Sequence, residues 1–129
     1  MEREVIHTDR APAAIGPYSQ GVRAGEFIFC SGQIPIDPAS GEVVGGRIGP
    51  QTEQVMRNIG ALLESAGCGF ASVVKTTIFL TDLADFATVN EIYGRHFPEA
   101  PPARSTVQVS ALPKGVNIEI EVIAFAGKP

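Results

Sequence analysis

Between Glu26 and Gln33 the chain carries Phe27, Ile28, Phe29 and Cys30 in succession. Side chains alternate sides along a strand, so Phe27 and Phe29 point one way while Ile28 and Cys30 point the other. A strand that is apolar on both faces needs cover on both. Whatever this chain folds into, that segment belongs inside a sheet with something packed above it and something below.

The remaining segments show what could supply the cover. Pro50 suits the first position of a helix, and Val55, Ile59, Leu62, Leu63 and Ala66 recur at spacings of three and four, with Gly67 as the residue that ends the helix. Val73 to Leu80 is dense in β-branched and aromatic residues and reads as a strand. Asp82 or Asp85 can cap a second helix, whose stripe is Phe86, Val89, Ile92 or Tyr93, and Phe97, closed by Pro98. Two strands follow, Arg104 to Val109 and Asn117 to Phe125, with Leu112-Pro113-Lys114-Gly115 between them as a turn. Upstream, Gly16 to Val22 is extended and Asp37 to Gly41 is a turn. Two helix stripes needing one apolar surface give an α+β fold, a sheet with both helices on a single face. The opposite face then carries Phe27 and Phe29, or their partners, together with Ile123 and Phe125. So much apolar surface is expected to be closed by self-association, making the protein a homo-oligomer.

A length of 129 residues is that of one domain, 1–129, able to bury about two thirds of its unfolded surface. A net charge of −4 with ten scattered basic residues argues against a nucleic-acid partner, which needs clustered Lys and Arg. Cys30 and Cys68 are too few and too far apart for a CxxC-type metal site, and the expectation is two buried thiols. The N-terminus lacks an apolar signal region and no stretch approaches the ~20 apolar residues of a membrane span, so a soluble cytoplasmic protein is expected.

Generic catalytic signatures are absent: there is no GxGxxG, P-loop, HExxH or GxSxG. His7 and His96 stand alone and read as surface or helix-end residues rather than as bases, and neither has a second ligand at metal spacing. What remains is an arginine and two glutamates on strands. Arg104 shares a strand face with Thr106 and Gln108; it is either a solvated edge charge or a fork of donors for a carboxylate. Glu119 and Glu121 are either the wet side of the last strand or holders of a reactive water. Were the last two strands a hairpin, Glu119 would lie opposite Gln108, ~13 Å along the strand from Arg104, within reach across a small substrate.

Several blocks in order closely resemble the RidA/YjgF family: Ala11 to Gly21 (Ala-Pro-Ala-Ala-Ile-Gly-Pro-Tyr-Ser-Gln-Gly), Ser31-Gly32-Gln33-Ile34-Pro35, Val74-Lys75-Thr76-Thr77, Asp85 to Asn90, Pro102-Ala103-Arg104-Ser105 and Ile118-Glu119-Ile120-Glu121. The resemblance spans nearly the whole chain. It implies a chorismate-mutase-like α+β subunit, a homotrimer with clefts between subunits, and hydrolysis of enamines and imines such as 2-aminoacrylate, 2-iminopropanoate and 2-iminobutanoate to 2-oxoacids and ammonia. It implies no cofactor. By position, Arg104 would bind the substrate carboxylate and Glu119 would hold the attacking water. Tyr18, Ser31, Gly32 and Asn90 would line the cleft, in part from a neighbouring subunit. Thr106 would contact the substrate as well; it stands where many relatives carry Cys, which puts substrate preference in question. Three other functions remain open beside this one: a larger pathway-specific imine as substrate, a non-catalytic sensor of small carboxylates, and RNA cleavage.

Overall fold

The computed structural model describes residues 2–127. Six strands form one sheet in the order β1-β2-β3-β6-β4-β5: β1 Arg3–Ile6, β2 Gly21–Ala24, β3 Phe27–Gln33, β4 Val73–Leu80, β5 Ala103–Gln108 and β6 Ile118–Phe125. Every pair is antiparallel except β4 and β5. Two helices cross over between strands, α1 Ile48–Ser65 and α2 Phe86–Gly94. A parallel neighbour needs a crossover connection, and α2 supplies it between β4 and β5.

Local signals account for most of these boundaries. α1 is followed by Gly67 at φ +83, and the Cys68 amide returns to the Leu63 carbonyl, so the helix ends where glycine turns most readily. Asp82 accepts a hydrogen bond from the Ala84 amide and opens a short 3-10 turn, Leu83–Asp85, that leads into α2. The turn at Asp37 forms as composition suggests, with the Asp37 side chain accepting from the Ala39 amide.

Both helices lie on one face, as the stripes require. The core there consists of Val55, Met56, Ile59, Leu62 and Leu63 of α1, Val89 and Tyr93 of α2, and Ile28, Cys30, Ile78, Leu80, Ile118, Ile120, Val122 and Ala124 of the sheet. The other face is open in the single chain. Phe27, Phe29 and Phe125 are 42%, 44% and 43% exposed and cluster by their rings, with Phe27 and Phe125 centroids 5.2 Å apart. Cover for β3 on both sides is therefore half met within one chain, because both helices are spent on the face carrying Ile28 and Cys30.

Two readings are corrected. Strands β5 and β6 do not form a hairpin: β4 lies between them, pairing Leu80 with both Gln108 and Ile118, so Glu119 is not opposite Gln108. The segment between them does turn, as the short 3-10 turn Pro113–Gly115 with Lys114 at φ 59, but it sends the chain past β4 rather than back along β5. Cys30 is buried, whereas Cys68 is only partly so, and both are free thiols. Burial pushes the Cys30 thiol up to about 12, with Cys68 adding to the shift, so Cys30 is an inert core residue.

Candidate active site

The anticipated site residues fall into two clusters. The first surrounds Glu119. Strand β3 carries an extra residue against β6 between Cys30 and Gln33, a bulge that places Ser31 and Gly32 beside the Glu119 end of β6. Ser31 is anchored there by its hydroxyl, which donates to the Ser19 carbonyl at 2.6 Å, and its amide donates to Gln20. This ties the bulge to the loop that presents Tyr18. Tyr18, Ser31, Gly32 and Glu119, with Ile34 and Glu121, line a cavity of about 490 Å³. Burial raises the Glu119 carboxyl above its ordinary range, and the Glu121 carboxylate, two residues along the same strand face, raises it further.

Gly32 is part of this geometry because of what it lacks. A Cβ there would fall on the Glu119 carboxylate group. The obstacle is the end of a flexible side chain, so Gly32→Ala is expected to fold normally but to push Glu119 out of place. A loss of activity of roughly 10- to 100-fold with an almost unchanged melting temperature is the anticipated outcome, read by steady-state turnover beside thermal unfolding. Retained activity would mean that the position of Glu119 against β3 is unimportant.

The second cluster surrounds Arg104. Its Nη1 donates to Asn90 Oδ1 at 2.8 Å, and its guanidinium carbon lies 5.3 Å from the Phe86 ring centre and 5.2 Å from that of Tyr93. Tyr93 is fixed in turn by a 2.7 Å hydrogen bond between its hydroxyl and that of Thr76, the residue beside Arg104 in the β4–β5 register. Among the described residues no carboxylate pairs with Arg104. Asn90 therefore holds the arginine in this structure. Phe86 and Tyr93, read from the sequence as core stripe, hold it too; Phe86 is 39% exposed, more than a core residue would be. Their spacing with Asn90, at positions i, i+4 and i+7, was the available signal.

Thr106 follows Arg104 on the same strand face. Among the described residues its Oγ1 is a buried side-chain oxygen without a hydrogen-bond partner. Leaving such a hydroxyl unpaired costs ~1–3 kcal/mol. Thr106→Val is thus expected to stabilise the chain by about 1 kcal/mol in urea unfolding; a destabilised variant would show that the hydroxyl has a partner in solution.

The two clusters do not meet within one chain. Arg104 is level with Thr76 and Glu119 is level with Phe79. Positions three apart on β4 face opposite ways, so Arg104 lies on the helix face and Glu119 on the open face. They are also separated by about 10 Å along the strands and about 10 Å across two strand spacings.

His96 lies beyond α2 with its ring on Phe70, centroids 4.7 Å apart, and burial lowers its pKa. It does not line the Glu119 cavity, and neither does His7. Among the described residues no group of three or more His, Cys, Asp or Glu side chains is placed to hold a metal ion, and no helix is long and apolar enough to cross a membrane.

Residues 8–126 match the family model described as Endoribonuclease L-PSP. The chain belongs to this family, known also as RidA/YjgF. Protein DfrA of Myxococcus xanthus is 60% identical over 128 residues, covering 98% of each chain. The human 2-iminobutanoate/2-iminopropanoate deaminase is 52% identical over 125 residues, covering 97% of this chain and 91% of the human one. A putative endoribonuclease from Thermotoga maritima superposes with a TM-score of 0.95 at 50% identity, covering 99% of this chain and 100% of the other. The α+β sheet with two helices is thus the family's fold, and the sequence blocks that suggested the family lie on β3, β4, α2, β5 and β6 and in the loop before β2.

Proposed function

We propose that this protein is a hydrolytic enamine/imine deaminase whose active site is completed between two copies of the chain, with Arg104 supplied by one and Glu119 by its neighbour. The observation that carries this reading is the placement of the two residues on opposite faces of one sheet. A single chain cannot present them to one small molecule, whereas a second copy docked on the open face can. That face offers Phe27, Phe29 and Phe125 as apolar surface for such docking. The homotrimer implied by the family resemblance satisfies this requirement three times over. Light scattering is expected to give three times the 13.6 kDa chain mass, and a monomer at micromolar concentration would remove the composite site.

The chemistry follows from the two clusters. Arg104, fixed on one side by Asn90, has its remaining N–H edge for the carboxylate of a 2-imino acid, a planar match that lysine does not reproduce. 2-Aminoacrylate reaches the reactive form by gaining a proton at its methylene carbon and losing one from nitrogen, giving 2-iminopropanoate. Glu119 holds a water against the imine carbon, accepts a proton as oxygen adds and passes it to nitrogen, giving the carbinolamine. Transfer of the hydroxyl proton to nitrogen through Glu119, with cleavage of the carbon–nitrogen bond, releases ammonia and leaves the 2-oxoacid. Imines hydrolyse readily in water, so positioning and one carboxylate of raised pKa are sufficient machinery. This accords with the name of the human relative.

The family description also mentions ribonuclease activity. Cleaving RNA at a 2′-hydroxyl calls for a base and an acid beside a cationic phosphate site. The Glu119 cavity is lined by two carboxylates, and the second copy adds one cation, Arg104, on a chain of net charge −4; a single small carboxylate suits that balance better than a polyanion. The test is release of ammonia and pyruvate from 2-aminoacrylate generated in situ from serine by a pyridoxal-phosphate dehydratase, with 2-iminobutanoate and bulkier imines in parallel. Acceleration over the spontaneous rate is expected. A folded oligomer that accelerates none of them would reject the deaminase reading in favour of carboxylate binding alone.

A further inference from the structure

We infer that the face of α2 bearing Phe86, Asn90 and Tyr93 is a preformed guanidinium seat that aims Arg104 without neutralising it, so that the full positive charge is presented to the substrate carboxylate. The inference rests on the reading of Arg104 as a carboxylate clamp and adds how that clamp is held. Phe86, Asn90 and Tyr93 fall at i, i+4 and i+7, which brings them onto one side of the helix. The guanidinium meets all three at once: a hydrogen bond of 2.8 Å to Asn90 and two rings whose centres lie 5.3 and 5.2 Å from its central carbon, inside the ~6 Å range of cation–π attraction. Tyr93 is itself pinned through its hydroxyl to Thr76, the strand neighbour of Arg104. Helix and sheet therefore fix the seat independently of the arginine it holds.

The chemistry of the seat is selective. A guanidinium on a protein surface is commonly held by a carboxylate, but a carboxylate here would compete with the anion the site is meant to receive. An amide oxygen and two ring faces are neutral groups that attract a cation through partial charges, leaving its formal charge uncompensated. Asn90 rather than Asp is the residue on which this depends. Asn90, Phe86 and Tyr93 are positioning residues, acting on substrate through Arg104.

Two measurements test the seat. In Arg104→Ala the seat stands empty, so methylguanidinium at millimolar concentration is expected to shift the ring resonances of Phe86 and Tyr93 saturably. It should leave them unmoved in the wild type, where the seat is filled, and in Arg104→Ala combined with Asn90→Ala. The same ion should raise the turnover of Arg104→Ala about tenfold. Ring shifts without recovered turnover would keep the seat and overturn the clamp. A folded Arg104→Ala showing no saturable ring shift would overturn the seat, whatever its activity. The second variant, Asn90→Asp, keeps shape and tightens the hold on Arg104 while cancelling its charge. It should raise KM roughly tenfold with kcat within about twofold. An unchanged KM would overturn the claim that neutrality of the seat matters. Asn90 and Phe86 are not buried core residues, so these readouts are available from folded protein.

Discussion

Arg104→Ala is expected to lower kcat/KM by roughly 100-fold while leaving the fold nearly as stable as before. The magnitude follows from what the substrate carboxylate gives up. A hydrogen bond to a charged group contributes ~1.5–3 kcal/mol, and a carboxylate docked on a planar fork forfeits two together with the orientation they impose. The stability change is small because Arg104 has no ion pair among the described residues, a single hydrogen bond to Asn90, and the rings of Phe86 and Tyr93 beside it at the edge strand of the sheet. Arg104→Lys keeps the charge but neither the fork nor the flat face that lies over Phe86 and Tyr93, and should recover no more than about tenfold of the loss. Steady-state assay of both variants beside thermal unfolding checks the pair of expectations. Wild-type rates in a folded Arg104→Ala would end its assignment as the carboxylate clamp.

Which parts of this architecture are legible in the sequence depends on how local the determining physics is. Val73 to Leu80 reads as a strand from its own residues, and α1 reads from its stripe and from Gly67 at its end. A hairpin between β5 and β6 is a misreading because turn chemistry is local and strand pairing is not. Lys114 and Gly115 do adopt positive φ. Yet Ile118, Ile120, Val122 and Ala124 make β6 so apolar on one side that it is buried mid-sheet, between β3 and β4. Arg104, Ser105 and Gln108 leave β5 suited to the edge. Strand β1, Arg3–Ile6, carries two charged residues in four and has no periodic signal; its pairing with β2 defines it.

The site shows the same division. The residue types are recoverable: Arg104 as the cation and Glu119 as the carboxylate follow from what remains once His and Cys chemistry is set aside. Their mutual placement is not, because it turns on β4 being inserted between their strands and on the parity of Thr76 against Phe79. The hairpin register puts both side chains over one substrate; the observed order puts a sheet between them. Tyr93 reads as core and is core, though its ring also faces Arg104; Phe86 reads as core because helical spacing reports a shared face but not what the face packs against.

Glu119→Gln carries the other large effect. The amide cannot accept the proton of the attacking water, and loss of a general base costs ~10²–10⁴-fold in kcat. The wild type should also show a pH limb set by Glu119. Burial first, and Glu121 second, lift its carboxyl above the ordinary range, so activity falls as pH is lowered through that raised value. Lys75 of β4 shares the open face, but it is level with Ile123, four residues from Glu119, which leaves Glu121 as the charge of the same chain that bears on it most directly, while Arg104 of the second copy in the composite site acts against the rise. Glu121→Gln should accordingly move the limb to lower pH. Stability runs in the opposite sense to activity. Between the ordinary and the raised pKa the folded chain binds a proton that the unfolded chain has released, so stability declines as pH rises across that window. At neutral pH the ionised Glu119 is a cost to the fold, and Glu119→Gln should melt at a higher temperature than the wild type, the gap narrowing in acid where both states are protonated. Melting curves at pH 7 and in acid, beside the pH–rate profiles of the wild type and Glu121→Gln, decide the matter. A limb that stays fixed in Glu121→Gln, or a Glu119→Gln enzyme with undiminished kcat, would show that the carboxylate over Gly32 is not the base. A stabilised and inactive Glu119→Gln would show that the fold carries this group at the expense of its own stability, for the sake of the reaction.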